Sequence, residues 1–249
     1  MMNTIEHAQR RARRIDGLLL ATIAVVIVGA TSLGAEAQAD DFSFRLGGSD
    51  AAITDKGYDF LSADNFLSMG HLSGQLALME HVWVGLEYNW ALEQADPITD
   101  VSTKLDIDGL SASVRAQADL LPFLTPYIAA GVGFEHLELS VALAGQAREQ
   151  DAFIGIFHGL IGVDLHVPSA WMRRVFNISK RGWAGDMTFG IVFEGGYQLA
   201  TAADFSQLTP PEPDKEPEPE DKPIDAASVG LGELDLSGVI LRSAFMIRF

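Results

Sequence analysis

The sequence predicts an all-β protein: eight antiparallel strands in up-and-down order, closed into a barrel that crosses a membrane. Three observations predict it. Long segments alternate apolar with polar or small residues. The connections between them alternate short with long. The chain after residue 39 holds no apolar run long enough for a membrane helix, which needs about 20 residues. Composition narrows the field further. The 249 residues include no Cys, which excludes disulfides, thiol catalysis and cysteine zinc sites. A formal charge of −17, from 17 basic and 34 acidic residues, argues against a nucleic-acid partner, because phosphate needs a basic surface.

The first 39 residues read as an address. Arg10, Arg11, Arg13 and Arg14 form a basic head, Leu18 to Ala30 is an uncharged apolar run interrupted only by Thr22, and Ala37-Gln38-Ala39 is a small-residue cleavage site. These are the parts of a secretory signal peptide. Residues 1–39 are therefore expected to be removed and residues 40–249 to form the barrel. The apolar run is too short for a span of about 20 residues.

The strands follow in order. Asp41 to Gly48 sets Phe42, Phe44 and Leu46 against Ser43 and Arg45. Phe66 to Met79 sets Leu72, Leu76 and Leu78 against His71, Ser73 and Gln75. Val82 to Leu92 is the clearest, with Val82, Val84, Leu86, Tyr88, Trp90 and Leu92 opposite Gly85, Glu87 and Asn89. Asp108 to Leu120 sets Leu110, Ala112, Val114, Ala116, Ala118 and Leu120 against Ser111, Ser113, Arg115, Gln117 and Asp119. Tyr127 to Leu139 sets Ile128, Ala130, Val132 and Phe134 against Gly131, Gly133 and Glu135, with the register open beyond His136. Phe153 to Leu165 sets Phe153, Phe157, Ile161, Val163 and Leu165 against His158 and Asp164. Met187 to Leu199 and Ser237 to Phe249 complete the eight. A period of two puts each set on its own face of a strand.

One apolar face suits either a soluble barrel with an apolar core or a membrane barrel with an apolar outside. The length of the strands and the Gly, Ser and Ala on the polar face favour the second. Glu80-His81 and Leu121 to Thr125 are short turns. Ser49 to Asn65, Glu93 to Ile107, Ser140 to Gln150 and Ala200 to Gly230 are longer and mostly polar. Short inner turns and long outer loops mark an outer-membrane barrel with both termini periplasmic. Trp83, Tyr88, Trp90, Tyr197 and Phe249 sit toward strand ends, where amphipathic rings meet headgroups, although Trp83 is on the polar face and suits the barrel floor instead.

Pro126 to Phe134, with the alternating Ser237 to Phe249 and the Ala37-Gln38-Ala39 site, makes the chain resemble the OmpA-type family of eight-stranded outer-membrane barrels. The resemblance spans residues 41–249, with no room for a peptidoglycan-binding domain. It implies that Phe245, Ile247 and terminal Phe249 are read by the barrel-assembly machinery. It implies little about activity.

The polar face is expected to carry a charge network in the lumen: Arg45, Glu87, Arg115, Glu135, Asp164, Glu194 and Arg242, joined by Asp119 and Arg248. Eight strands leave just enough interior for side chains, so a plug is the favoured outcome and a narrow ion path the other. His136, Glu138 and Ser140, where strand five leaves the membrane, offer a base, a carboxylate and a nucleophile for a lipid A-modifying hydrolase. They share one strand face, and no P-loop, G-x-S-x-G or dinucleotide motif occurs. No enzyme, cofactor or metal is expected. The role read here is structural or surface-interacting, with outer-membrane lipid and lipopolysaccharide as surroundings and a monomer as the state.

Two connections stand out. Residues 203–228 form an acidic outer loop containing the Pro-rich Thr209 to Pro223, which reads as solvated chain. On the inner side, Pro168 to Arg181 is basic. At helical spacing Trp171, Met172, Val175, Phe176 and Ile178 share one sector and Arg173, Arg174, Asn177, Lys180 and Arg181 the other. A short periplasmic-side amphipathic helix lying in the membrane interface is expected there.

Overall fold

The computed structural model describes residues 42–55, 58, 61–62, 65–98, 101–143, 146–167, 170–171, 174, 187–205 and 232–249. Eight long strands close into one barrel. They are β1 (Phe42–Ile53), β2 (Phe66–Met79), β3 (Val82–Ile98), β4 (Val101–Gln117), β5 (Leu124–Leu143), β6 (Gln146–His166), β7 (Thr188–Ala200) and β10 (Gly238–Arg248). A two-residue ladder joins β8 (Ala203–Asp204) to β9 (Glu233–Leu234). Each long strand pairs with its sequence neighbour in the barrel, and β1 closes the ring on β10, antiparallel throughout. The eight-stranded fold thus agrees with the alternation in the sequence.

The strand boundaries do not all agree. The segment 93–107, read as a loop, is strand on both sides of residues 99–100. Residues 140–143 and 146–150, also read as loop, extend β5 and β6 to 20 and 21 residues. β1 likewise runs five residues past Gly48, whereas β4 stops before Ala118. The physical cause is a reversal of polarity along each wall. On β4 and β5, Leu110, Val114, Ile128, Val132 and Phe134 face outward, with Ser111, Arg115 and Glu135 inside. Higher up the same strands, Leu105, Ile107, Leu137 and Leu139 face inward and are fully buried, while Lys104, Asp106, Glu138 and Ser140 face outward. Through this stretch of β4 and β5 the period of two does not break; the two faces exchange character.

The upper lumen is therefore an apolar core, and connections fold in to complete it. Tyr58 and Leu61 enter from the β1–β2 connection, and Phe205, Leu234 and Leu236 from the β7–β10 connection. Burying each such side chain contributes roughly 1.5–3 kcal/mol relative to exposure. Tyr58 Oη donates to the Phe66 carbonyl at 3.2 Å, and the Asp235 amide donates to Asp55 Oδ2 at 2.6 Å, which ties the two connections together. Gly232, at φ 78°, makes the sharp entry into β9 that side chains resist, and its carbonyl accepts from the Phe205 amide at 2.8 Å.

The acidic connection is consequently folded at its flanks: Ala203 and Phe205 are buried, and residues 206–231, including the Pro-rich run, lie outside the described residues. So do residues 1–41. The described residues contain no helix element. Of the amphipathic segment, Ala170, Trp171 and Arg174 are described and exposed. Arg173, Val175, Phe176, Lys180 and Arg181 lie outside the description, so the expected helix is not established.

Candidate functional site in the barrel interior

Below the polarity reversal, the inward positions are charged. An ion buried alone costs several kcal/mol in lost hydration, so such groups persist only when paired and hydrogen-bonded. Arg45 on β1 reaches across the lumen. Its guanidinium donates to Glu194 Oε1 at 3.0 Å, to the Tyr127 hydroxyl at 3.2 Å and to both Asp164 oxygens at 3.2 and 3.3 Å. Arg115 on β4 donates to the same Asp164 at 2.5 Å, and its guanidinium carbon lies 3.7 Å from the centre of the Tyr127 ring. Tyr127 in turn donates to Glu194 at 2.5 Å. Two arginines, two carboxylates and one tyrosine from five strands thus form a single lattice.

A second pair lies above it. Arg242 on β10 donates to Glu87 Oε1 at 2.8 Å. His71 and His158, both buried, lie within electrostatic reach of this pair. Glu135 lies there too and is fully buried, but neither of its oxygens has a hydrogen-bond partner among the described residues. Its side chain crosses Gly109, where an added Cβ would come within 2.6 Å of Glu135 Cγ. The floor is aromatic: Arg248 sits 4.4 Å from the centre of the buried Trp83 ring and donates to Gln117 at 3.3 Å.

Of the charges expected inside, the lattice joins Arg45, Arg115, Asp164 and Glu194, while Arg242 and Glu87 form their own pair and Glu135 joins neither. Asp119 is a correction. It lies past the end of β4, is exposed, and accepts from Thr125 Oγ1 at 3.1 Å, because the strand ends before its alternation can carry it inward. Tyr127 was missed. Its signal was present, since outward Ile128, Ala130 and Val132 place residue 127 inside. Between the lattice and the Arg242 pair lies a polar cavity of about 10 Å³, bounded by Arg45, His71, Glu87 and Glu194, about the room one water needs.

The structure does not bring the three rim residues of the hydrolase reading together. His136, Glu138 and Ser140 all face outward on β5. Four residues of strand separate His136 from Ser140 by about 13 Å. His136 Nε2 instead stands 3.8 Å from Asp151, its ring against Phe153 at 4.7 Å, and Ser140 lies between Lys104 and Glu149. Tyr88 and Trp90 stack at 5.8 Å beside this rim, with the Tyr88 hydroxyl on Asp108 at 2.6 Å.

At the opposite end, Phe245 is 74% exposed and Ile247 faces outward between Phe44 and Phe189. The Phe249 amide donates to the Phe42 carbonyl at 2.9 Å. Around the lower wall, Ile161 (72% exposed), Phe193, Leu241 and Leu46 continue an exposed apolar belt.

No protein-family model and no curated protein sequence matches the chain. Among solved structures it is similar to Neisserial surface protein A (NspA), at 12% identity and a TM-score of 0.42, covering 84% of this chain and 97% of that one. It is similar to Ail, the attachment invasion locus protein of Yersinia pestis, at 10% identity and a TM-score of 0.45, covering 84% and 99%. The N-terminal β-barrel domain of Pseudomonas aeruginosa OprF gives 11% identity and a TM-score of 0.36 over 83% and 97%.

Proposed function

We propose that this chain is an integral outer-membrane barrel with a sealed lumen, acting structurally or through its outer surface rather than as a pore or an enzyme. The observation that carries the reading is the polarity reversal. A belt with apolar residues outside and ions inside suits lipid, and the same wall turned apolar-inside suits water. The reversal, near Asp108 and His136, marks the outer boundary of the membrane. Above it stands a folded cap, acidic on its outer face, that offers a surface at the cell exterior.

Three tests bear on the reading. A membrane barrel fractionates with the outer membrane and migrates differently on gels before and after heating. A soluble protein indifferent to heating overturns it. In planar bilayers a lumen filled by the Arg45 lattice and roofed by the apolar core gives no steady conductance, and regular openings would favour the channel. Lipid A with an acyl pattern that depends on His136 would restore the hydrolase.

The signal peptide, outer-membrane lipid and lipopolysaccharide as surroundings, the assembly machinery as reader of Phe249, and a monomeric state belong to the same proposal. The basic segment 168–181 fits an anchor in the periplasmic-side interface, where each Lys or Arg contributes about 1 kcal/mol near anionic headgroups. A spin label at Val175 accessible to oxygen supports this, and full access to a water-soluble relaxant refutes it.

A further inference from the structure

The apolar belt is not uniform around the barrel. The β6, β7 and β10 side carries Phe153, Phe157, Phe189, Phe193 and Phe245. At one level of the β2 to β5 side the wall is thin on both faces. Its outward positions include Gly74, Ala112 and Ala130, and its inward positions at the same level are Gly85, Ser113 and Gly131. The wall lies close to what is inside it: an added Cβ at Gly131 would come within 2.3 Å of His158 Nε2, and one at Gly85 within 3.0 Å of Gln75 Cγ. The result is a trough of about 580 Å³ on the outer wall, its rims formed by Phe42 at one side and Phe157 at the other, its lining almost wholly apolar. Gly74, Ala112 and Ala130 leave its floor without long side chains.

Resting on the membrane reading above, we propose that this trough is a binding site for one acyl chain of a phospholipid. The volume lies in the range of small-ligand sites, roughly 300–1,000 Å³. Its walls offer far less than the roughly 800 Å² per partner that a stable protein interface buries, which argues against a second copy. The lining carries no ionised side chain, so the occupant is hydrocarbon. Ala112, Val114, Ala130 and Leu76 place the trough toward the end of the barrel with the short turns, below the polarity reversal. That is the phospholipid leaflet under the proposed orientation. A chain held between Phe42 and Phe157 exchanges more slowly than lipid on the opposite wall, because it touches side walls as well as a floor.

The test uses the full chain reconstituted in vesicles of phosphatidylethanolamine and phosphatidylglycerol, then extracted in mild detergent for native mass spectrometry. One phospholipid per chain is expected to persist through detergent exchange. Ala112→Phe and Ala130→Phe, which fill the trough, are expected to lower the retained fraction about tenfold, the effect of roughly 1.4 kcal/mol. Leu241→Phe, on the opposite wall, is expected to leave it unchanged. Equal retention in all four proteins, retention of lipopolysaccharide in preference from mixed vesicles, or a protein dimer in place of the lipid each overturns the proposal. A heat-modifiable band verifies that every variant is folded, and Ala130→Leu replaces a Phe variant that lacks it. Wild-type chain that does not insert defeats the membrane reading itself; inserted chain without retained lipid defeats only this site.

Discussion

Arg45 on β1 and Asp164 on β6 stand three strands apart around the wall, yet both Asp164 oxygens meet one guanidinium nitrogen, at 3.2 and 3.3 Å. Asp164 also accepts from Arg115, so one carboxylate compensates two buried cations. Removing it leaves Arg115 without a carboxylate and Arg45 with Glu194 alone. Asp164→Ala is expected to cost on the order of 3–5 kcal/mol in urea unfolding from lipid vesicles, the penalty of an uncompensated buried charge. Asp164→Leu combined with Arg115→Met, which leaves Arg45 paired with Glu194, is expected to recover much of that loss. A single substitution within about 0.5 kcal/mol of wild type would show that the lattice contributes little.

The Tyr58 phenol reports on the cap. Burial first, and the Glu93 carboxylate second, push it above its ordinary range. The fold therefore favours the neutral phenol. Its contribution is complete below pH 10 and declines as pH rises above 10, where the unfolded chain begins to ionise. Protease sensitivity of the β1–β2 connection is expected to increase at strongly alkaline pH in wild type, with Tyr58→Phe showing a smaller increase. Equal alkaline sensitivity in the two proteins argues that Tyr58 is not responsible.

Gly196 on β7 admits no side chain: an added Cβ would lie 2.0 Å from the Gly159 carbonyl oxygen on β6. Gly196→Val is expected to force these strands apart and to reduce the heat-modifiable folded band severely, by a clash with backbone that rotamers cannot relieve. Gly159→Ala, at a position with open space around an added Cβ, is the control and is expected to fold as wild type does.

Deleting Phe249 removes a hydrogen bond to the Phe42 carbonyl and a ring 6.4 Å from Phe42. Membrane levels of the folded band are expected to fall after deletion. Phe249→Ala keeps the backbone bond and separates loss of the ring from loss of the closing contact. Unchanged levels in both variants remove the residue from the proposed assembly signal.

Much of this arrangement was legible from alternation alone. Leu110 against Ser111, or Ile191 against Glu194, assigns a face without any knowledge of neighbours. Alternation could not say that Asp164 serves two arginines, because partners depend on register around the ring. It also obscured the upper wall. Lys104, Asp106 and Asp108 resemble loop residues until Leu105 and Ile107 are seen facing a core, and the register beyond His136 stayed open because the apolar set moves to the other face there. Leu234 and Leu236 alternate with Glu233 and Asp235 over too few residues to mark a strand, and Phe205 stands alone. They come from connections and find each other only in the folded cap.

The seam between β1 and β10 has a consequence for the order of events in folding. Ser43 pairs with Arg248 and Ile53 with Gly238, so the first and last strands of the barrel must meet across nearly the whole chain between them. Hairpins such as β3–β4 and β5–β6 close over a few residues and nucleate quickly, but the seam bears the entropy of the largest loop in the molecule. Until it zips, the sheet keeps two raw borders with unsatisfied backbone groups, which lipid penalises and other chains can capture. Ring closure is therefore expected to come late, and a chain cut short before β10 is expected to leave a border open to misassembly.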